Sequence, residues 1–408
     1  MPAVVGKAPT RLSRVRLVSW WNFGPRTRKA SVFCFALGYV CGRCSEKDYY
    51  AARKAVAVNG KVSLADPGHQ GLFVKACFPG HVEPHANFNM DKLPPLGTAV
   101  SATAPQTVAI YAPLLQANKQ NIESTKSKTF SFGPHPRQEL DVYFPSKPGY
   151  EDGPILFFVY GGGLVRGGKK LPNSLAHANV GHFFAESLGF TTVIPDYRLL
   201  SHGAQFPSGG EDIALAVDWV ASNLSGELNS GGSGKPRDLF IMGNSAGGVH
   251  LSAFLFAPAL QESRAKVLRD DSQLRFRGAV FLSVPFHFIH AVPERAEVLQ
   301  TYYVSPDGIA DHSAFGLLKS LAQKDTSELS RYGILILSGE LDPEDEILIP
   351  KNDFVATLGT VLNARFTVEV MRGQNHISPP FSLGTGIAKE EAWGWQVGRW
   401  INYITASV

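Results

Sequence analysis

Leu239-Phe240-Ile241-Met242-Gly243-Asn244-Ser245-Ala246-Gly247-Gly248 decides how this chain is read. Four apolar residues run into a Gly-x-Ser-x-Gly turn, and an apolar segment, Val249 to Ala257, follows. The pattern predicts a buried strand, a sharp turn and a buried helix. A serine on such a turn projects its Oγ out of the sheet from a strained backbone. The flanking glycines let strand and helix pass with no Cβ between them. The helix that starts at Ser245 points its unpaired N–H groups, and the positive end of its dipole, at any oxyanion formed beside the hydroxyl. With 40 glycines in 408 residues the turn by itself is a weak signal, so its partners elsewhere in the chain matter.

Working outward, the same alternation of buried strand and amphipathic helix extends in both directions. Upstream, Gln106 to Leu115 is predicted helical, and Leu140 to Phe144 alternates like a strand that stops at Pro145. Ile155 to Tyr160 and Phe190 to Pro195 are continuous apolar runs, as in strands buried on both faces. Helices are predicted over Ala176 to Leu188 and Glu211 to Leu224. Downstream come a strand from Gly278 to Pro285, a polar helical region from Ala291 to Gln323 and a strand from Ile334 to Leu337. A helix from Asp353 to Leu362, a strand from Phe366 to Met371 and a helix from Ala388 to Tyr403 close the pattern. Such alternation predicts an α/β domain with a mostly parallel central sheet and helices on both faces.

The first hundred residues read differently. From Met1 to Ser45 there are eight Lys or Arg and no acid. A basic, Ser-containing, acid-poor leader has the composition of an organelle transit peptide. Cytoplasmic placement is expected, with a mitochondrial one as the alternative that this leader raises. All four cysteines, Cys34, Cys41, Cys44 and Cys77, lie here. Cys41-x-x-Cys44 has the shape of half a zinc site, but Cys34 and Cys77 offer no familiar second half, so no metal is expected. Residues 1–100 are read as a weakly structured extension (targeting segment, disorder or gene-model artefact), and residues 101–408 as the folded domain. The net charge of +4 points to no nucleic acid, and no apolar run is long enough to span a membrane.

In a mostly parallel sheet, ligands bind at the carboxyl ends of the strands. The strand ending at Tyr160 runs into Gly161-Gly162-Gly163, a loop whose backbone N–H groups can turn inward toward an oxyanion. The strand ending at Leu337 leads to Glu340-Leu341-Asp342-Pro343, and the one ending at Met371 leads to Asn375-His376. Ser245, Asp342 and His376 thus follow one another in the order a nucleophile-elbow sheet requires. His376 is the one histidine of twelve that lies beyond Asp342. The acid is less determined: Glu340, Asp345 and Glu346 are close, and Asp342 is favoured because Pro343 fixes a turn just past the strand.

These residues resemble the alpha/beta-hydrolase fold, and within it the hormone-sensitive-lipase-like esterases. The matching segments are Tyr160 to Gly163, Gly243 to Gly248, Asp342-Pro343 and His376. Pro195 to Leu199, Phe206 to Asp212 and Asn375 to Ser378 are similar to fungal alpha/beta-hydrolases of the carboxylesterase or kynurenine-formamidase-like type. The resemblance spans residues 103 to 405 and implies a small helical cap. It also implies a Ser245–His376–Asp342 triad that works through an acyl-enzyme, and an oxyanion hole at Gly162, Gly163 and Ala246. The substrate would be a small-molecule acyl ester or amide, with no cofactor. Two positions depart from the pattern: Tyr160 stands where a histidine is usual, and Asn244 where an acid is usual.

Other features are read as structural. Gly231 to Lys235 looks like a phosphate loop, but Pro236 stands where Ser or Thr is needed. His250, Asp196 and Arg198 are expected to pack, and Phe286, His287, Phe288 and Tyr302 to line either the acyl pocket or the core. An ester hydrolase is the expected function. An arylformamidase acting on N-formylkynurenine is the amide-cleaving alternative. A non-catalytic binding protein, like plant gibberellin receptors, is disfavoured because such proteins typically lose the histidine.

Overall fold

The computed structural model describes residues 89–407, without 225, 227, 229–234, 325, 362 and 363, together with Lys61–Val62 and Val74–Lys75. The chain divides into two compact units, Met1–Ala86 and Asn87–Val408. In the first, Lys61–Val62 pairs antiparallel with Val74–Lys75. The four cysteines, the basic leader and most of the phosphate-loop-like stretch lie outside the described residues.

The second unit is built on an eight-stranded sheet. Its strands are β1 Ser127–Ser131, β2 Glu139–Tyr143, β3 Ile155–Val159, β4 Thr191–Pro195, β5 Arg237–Asn244, β6 Leu274–Leu282, β7 Gly333–Leu341 and β8 Arg365–Asn375. The spatial order is β8-β7-β6-β5-β3-β4-β2-β1. From β4 to β8 every pairing is parallel, while β2 runs antiparallel to both β4 and β1. The helices are α1 Val100–Ala117, α2 Lys119–Ser124, α3 Ala178–His182, α4 Ser208–Asn223, α5 Ala246–Phe256 and α6 Gln261–Leu268. Further on come α7 Ala296–Tyr303, α8 Pro306–His312, α9 Ala314–Ala322, α10 Ile349–Leu358, α11 Ser378–Ser382 and α12 Ala392–Ala406.

Every residue of β3 and β5 is buried. Continuous apolar runs fold this way because both sheet faces must be covered. Trp400 of α12 packs so closely over β6 and β7 that a Cβ on Gly278 or Gly333 would come within 2.5 or 2.9 Å of its ring.

A second apolar cluster lies apart from this core. It joins Met90, Leu93, Tyr111 and Leu115 to Phe381, with Leu341 and Ile377 packed against it. Residues ahead of the expected boundary at 101 thus pack in this unit. Met90 and Leu93 are buried, and the Met90 N–H donates to Glu390 at 2.9 Å. No helix among the described residues is long and apolar enough to cross a membrane.

Candidate active site

Ser245 occupies the turn between β5 and α5 with φ 49° and ψ −119°. A side chain rarely adopts that backbone, and such strain persists only where the surroundings enforce it. Here they do. A Cβ on Gly243 would meet Gly247 O at 2.6 Å, and one on Gly247 would meet Val159 O at 2.0 Å. Strand and helix touch at the turn, which pushes the serine outward. The Ser245 N–H donates to Leu282 O at 2.9 Å, and Asn244 Nδ2 donates to the same carbonyl at 3.1 Å. Asn244, one of the two departures, thereby ties the turn to β6.

Ser245 Oγ lies 3.0 Å from His376 Nε2, and His376 Nδ1 lies 3.3 Å from Asp342 Oδ1. His376 follows β8 directly, and Asp342 follows β7. Both are buried. Two of the neighbouring acids are engaged elsewhere. Glu340 binds Arg372 at 3.0 Å and accepts the Gly373 N–H at 2.8 Å, and Glu346 pairs with Arg295 at 3.5 Å. The Gly373 N–H, aided by Arg372, holds the Glu340 carboxyl below its ordinary range.

The sequence reading missed Ser283. It follows β6 with φ 48°, is buried, and donates from Oγ to Asp342 Oδ2 at 2.7 Å. The Gly339 N–H donates to the same oxygen at 2.6 Å. Four neighbouring strand ends thus each deliver one polar side chain: Ser245, Ser283, Asp342 and His376. A serine past a strand end has no sequence signature, and Ser283 becomes visible only once β6 is placed beside β7.

The glycine loop lies against the turn. A Cβ on Gly161 would come within 3.0 Å of Ser245 Cβ. Gly162 has φ 144° and Gly163 φ 62°. No acceptor among the described residues takes the N–H of Gly162, Gly163 or Ala246. Tyr160, the other departure, anchors the loop from below. Its hydroxyl donates to Asp196 at 2.6 Å and accepts from Arg137 at 2.6 Å. Its carbonyl accepts from the Tyr197 hydroxyl at 2.9 Å. Its ring stacks between His177 and Tyr197. Burial, with Tyr197 and Asp196 beside it, pushes the Tyr160 phenol up, so the hydroxyl stays a donor.

The remaining candidates pack. Asp196 also accepts the Lys169 N–H at 2.6 Å, and Arg198 binds Asp212 at 2.9 Å. His250 is buried against Tyr197 and 3.2 Å from the Tyr302 hydroxyl. Phe286 stacks on Phe354, His287 pairs with Asp353 at 3.0 Å, and Phe288 meets Tyr303. No group of three or more metal-ligating side chains occurs among the described residues. A cavity of about 660 Å³ lies between Met90, Arg372, Trp393 and Arg399, and the three residues of the site do not line it.

Comparison with known proteins agrees with this geometry at the level of the fold. The family profile BD-FAE matches residues 140–275, a span that holds Ser245 and stops before Asp342 and His376. A probable isoprenylcysteine alpha-carbonyl methylesterase of Arabidopsis thaliana is 30% identical over 176 residues, 39% of this chain and 36% of that protein. Carboxylesterase 1E of Mus musculus is 24% identical over 283 residues, 66% of this chain and 45% of that protein. The chain spans less than half the length of either relative. Esterase B of Lactobacillus rhamnosis superposes with a TM-score of 0.53 at 14% identity, covering 75% of this chain and 96% of that one. Sheet order, the strained serine turn and the superposition together show that this chain has the alpha/beta-hydrolase fold.

Proposed function

We propose that this chain is a serine hydrolase that cleaves carboxylic esters through Ser245, His376 and Asp342. The observation that carries the reading is the strained Ser245, held 3.0 Å from His376 Nε2 at the mouth of α5. In this mechanism Ser245 Oγ attacks the acyl carbon and His376 takes its proton. Asp342 holds the imidazole in one tautomer and stabilises its cationic form. The oxyanion is met by the N–H groups of Gly162, Gly163 and Ala246, where one such donor is worth about 3 kcal/mol. The protonated His376 then gives its proton to the departing alcohol, leaving an acyl-Ser245. Water, deprotonated by His376, attacks that acyl group and releases the acid. The matched relatives named above are ester hydrolases, which supports ester over amide as the substrate class.

The test is turnover of p-nitrophenyl acetate, butyrate and octanoate beside N-formylkynurenine, by wild type and Ser245→Ala. Ester cleavage that falls on the order of 10⁴-fold in the variant is the expected outcome. Full activity in Ser245→Ala would remove the nucleophile assignment. Selective cleavage of N-formylkynurenine would move the substrate class to amides.

A further inference from the structure

Thr107 lies on α1, ahead of every strand of the main sheet, yet it reaches the residue that precedes His376 near the far end of the chain. Its Oγ1 accepts a hydrogen bond of 2.8 Å from Asn375 Nδ2. Thr107 is 0% exposed and Asn375 1%. Asn375 immediately precedes His376, and its Oδ1 accepts from the N–H of Ile377 at 3.0 Å and of Ser378 at 2.9 Å. This turn closes the backbone just past His376. The amide can do so in one orientation only, because a flip would face its NH₂ against two N–H donors. The Thr107 hydroxyl takes an N–H of the amide held in that orientation.

The hold continues around the loop. Ser378 Oγ accepts the Asn375 N–H at 3.0 Å and donates to Gln374 Oε1 at 2.6 Å. Gln374 Nε2 donates to the Glu390 carbonyl at 3.3 Å. The buried Glu390 carboxylate accepts from the Met90 N–H and from the Tyr111 hydroxyl at 2.7 Å. Ile377 and Phe381 pack in the apolar cluster formed by Met90, Leu93, Tyr111 and Leu115.

We infer that Thr107 is a positioning residue for His376, acting through Asn375, and that the segment from Asn89 to Ala117 belongs to the working unit although it supplies no reacting group. The inference rests on His376 being the base of the proposed reaction. His376 makes its contacts at 3.0 and 3.3 Å, and displacement of a reacting group by about 1 Å costs on the order of 10²-fold in rate.

The experiment compares full-length wild type, Thr107→Val, Thr107→Ser and Tyr111→Phe. It reads kcat and KM on p-nitrophenyl butyrate, thermal melting, and labelling of Ser245 by a fluorophosphonate. Thr107→Val keeps the shape but loses the acceptor. It is expected to melt cooperatively and to lose about 10-fold or more in kcat, with KM within a factor of about two. Thr107→Ser restores the acceptor and most of kcat. Wild-type kcat in Thr107→Val, or a Thr107→Ser as slow as Thr107→Val, would overturn the inference. If Thr107→Val gives no folded protein, Tyr111→Phe decides: lowered kcat at unchanged KM supports the inference, and wild-type kcat overturns it. Wild-type protein that neither turns over ester nor takes the label would instead overturn the reading of the site.

Discussion

Ser245 at φ 49° and Ser283 at φ 48° share an unfavourable backbone, one at the end of β5 and the other at the end of β6. The first aims its hydroxyl at His376 and the second at Asp342. A carboxylate in a buried site points reliably only when both oxygens are engaged. Asp342 has His376 on Oδ1, and on Oδ2 both Ser283 and the Gly339 N–H. Ser283→Ala therefore leaves one donor on Oδ2 and loosens the acid without removing it. We expect kcat to fall about 10-fold, equivalent to about 1.4 kcal/mol, with KM and the melting temperature little changed. Steady-state kinetics on p-nitrophenyl butyrate decide this, and an unchanged kcat would make Ser283 a bystander. Turn glycines, a proline and chain order mark Ser245, Asp342 and His376 in the sequence, and the structure brings the three together. Ser283, Thr107 and Asn375 act through partners remote in sequence, and neither periodicity nor spacing encodes such contacts.

Elements show the same division. β3, β4 and β5 were readable because burial on both faces leaves continuous apolar runs. β1 was not, because Ser127–Ser131 is a largely exposed edge with no apolar alternation. α1 extends to Val100–Ala117 around the expected Gln106 to Leu115, with Pro105 and Pro113 inside it. Proline costs a helix a hydrogen bond, so local preference alone would have ended α1. Its buried stripe of Thr103, Thr107, Tyr111 and Leu115, at a spacing of four, outweighs that cost by docking on the His376 loop. The β5–α5 pair sets the tightest limit of all. An added methyl at Gly247 would sit 2.0 Å from Val159 O and 2.6 Å from Tyr160 O, both rigid backbone. Gly247→Ala must separate helix from sheet, so we expect about 3 kcal/mol or more of destabilisation and loss of ester turnover. Urea unfolding that matches wild type would show that the close approach is not required.

For the whole folded unit, four described histidines outside the Ser245, Asp342 and His376 cluster are held below their ordinary range, His177 and His250 furthest. His177 and His250 are both buried, and burial lowers them to about 4 and about 3. In the unfolded chain each titrates near 6.5. Between roughly pH 6 and pH 4 the unfolded state therefore binds protons at His177 and His250 that the folded state refuses, and His182 and His202, lowered chiefly by burial, act in the same sense. Stability falls as the pH falls through that window, by about 1.4 kcal/mol per unit for each of His177 and His250. The shifted carboxylates do not set this window. Glu340, held low by the Gly373 N–H and Arg372, loses its contribution only below the ordinary carboxylate range. Glu391, raised chiefly by burial, acts in the opposite sense and is relieved by protonation. His177 is fixed by Gly168 O at 2.7 Å and stacks on Tyr160, so its protonation also threatens the glycine loop. His250, by contrast, has no partner for Nε2 among the described residues and packs on Tyr197 and Tyr302, which makes it the cleaner probe. Urea midpoints at pH 7, 6 and 5 should fall steeply for wild type. His250→Gln should have a slope shallower by about 1.4 kcal/mol per pH unit, whatever its stability at pH 7. Equal slopes in the two proteins would mean that His250 takes up its proton in the folded state, and that the acid sensitivity arises elsewhere.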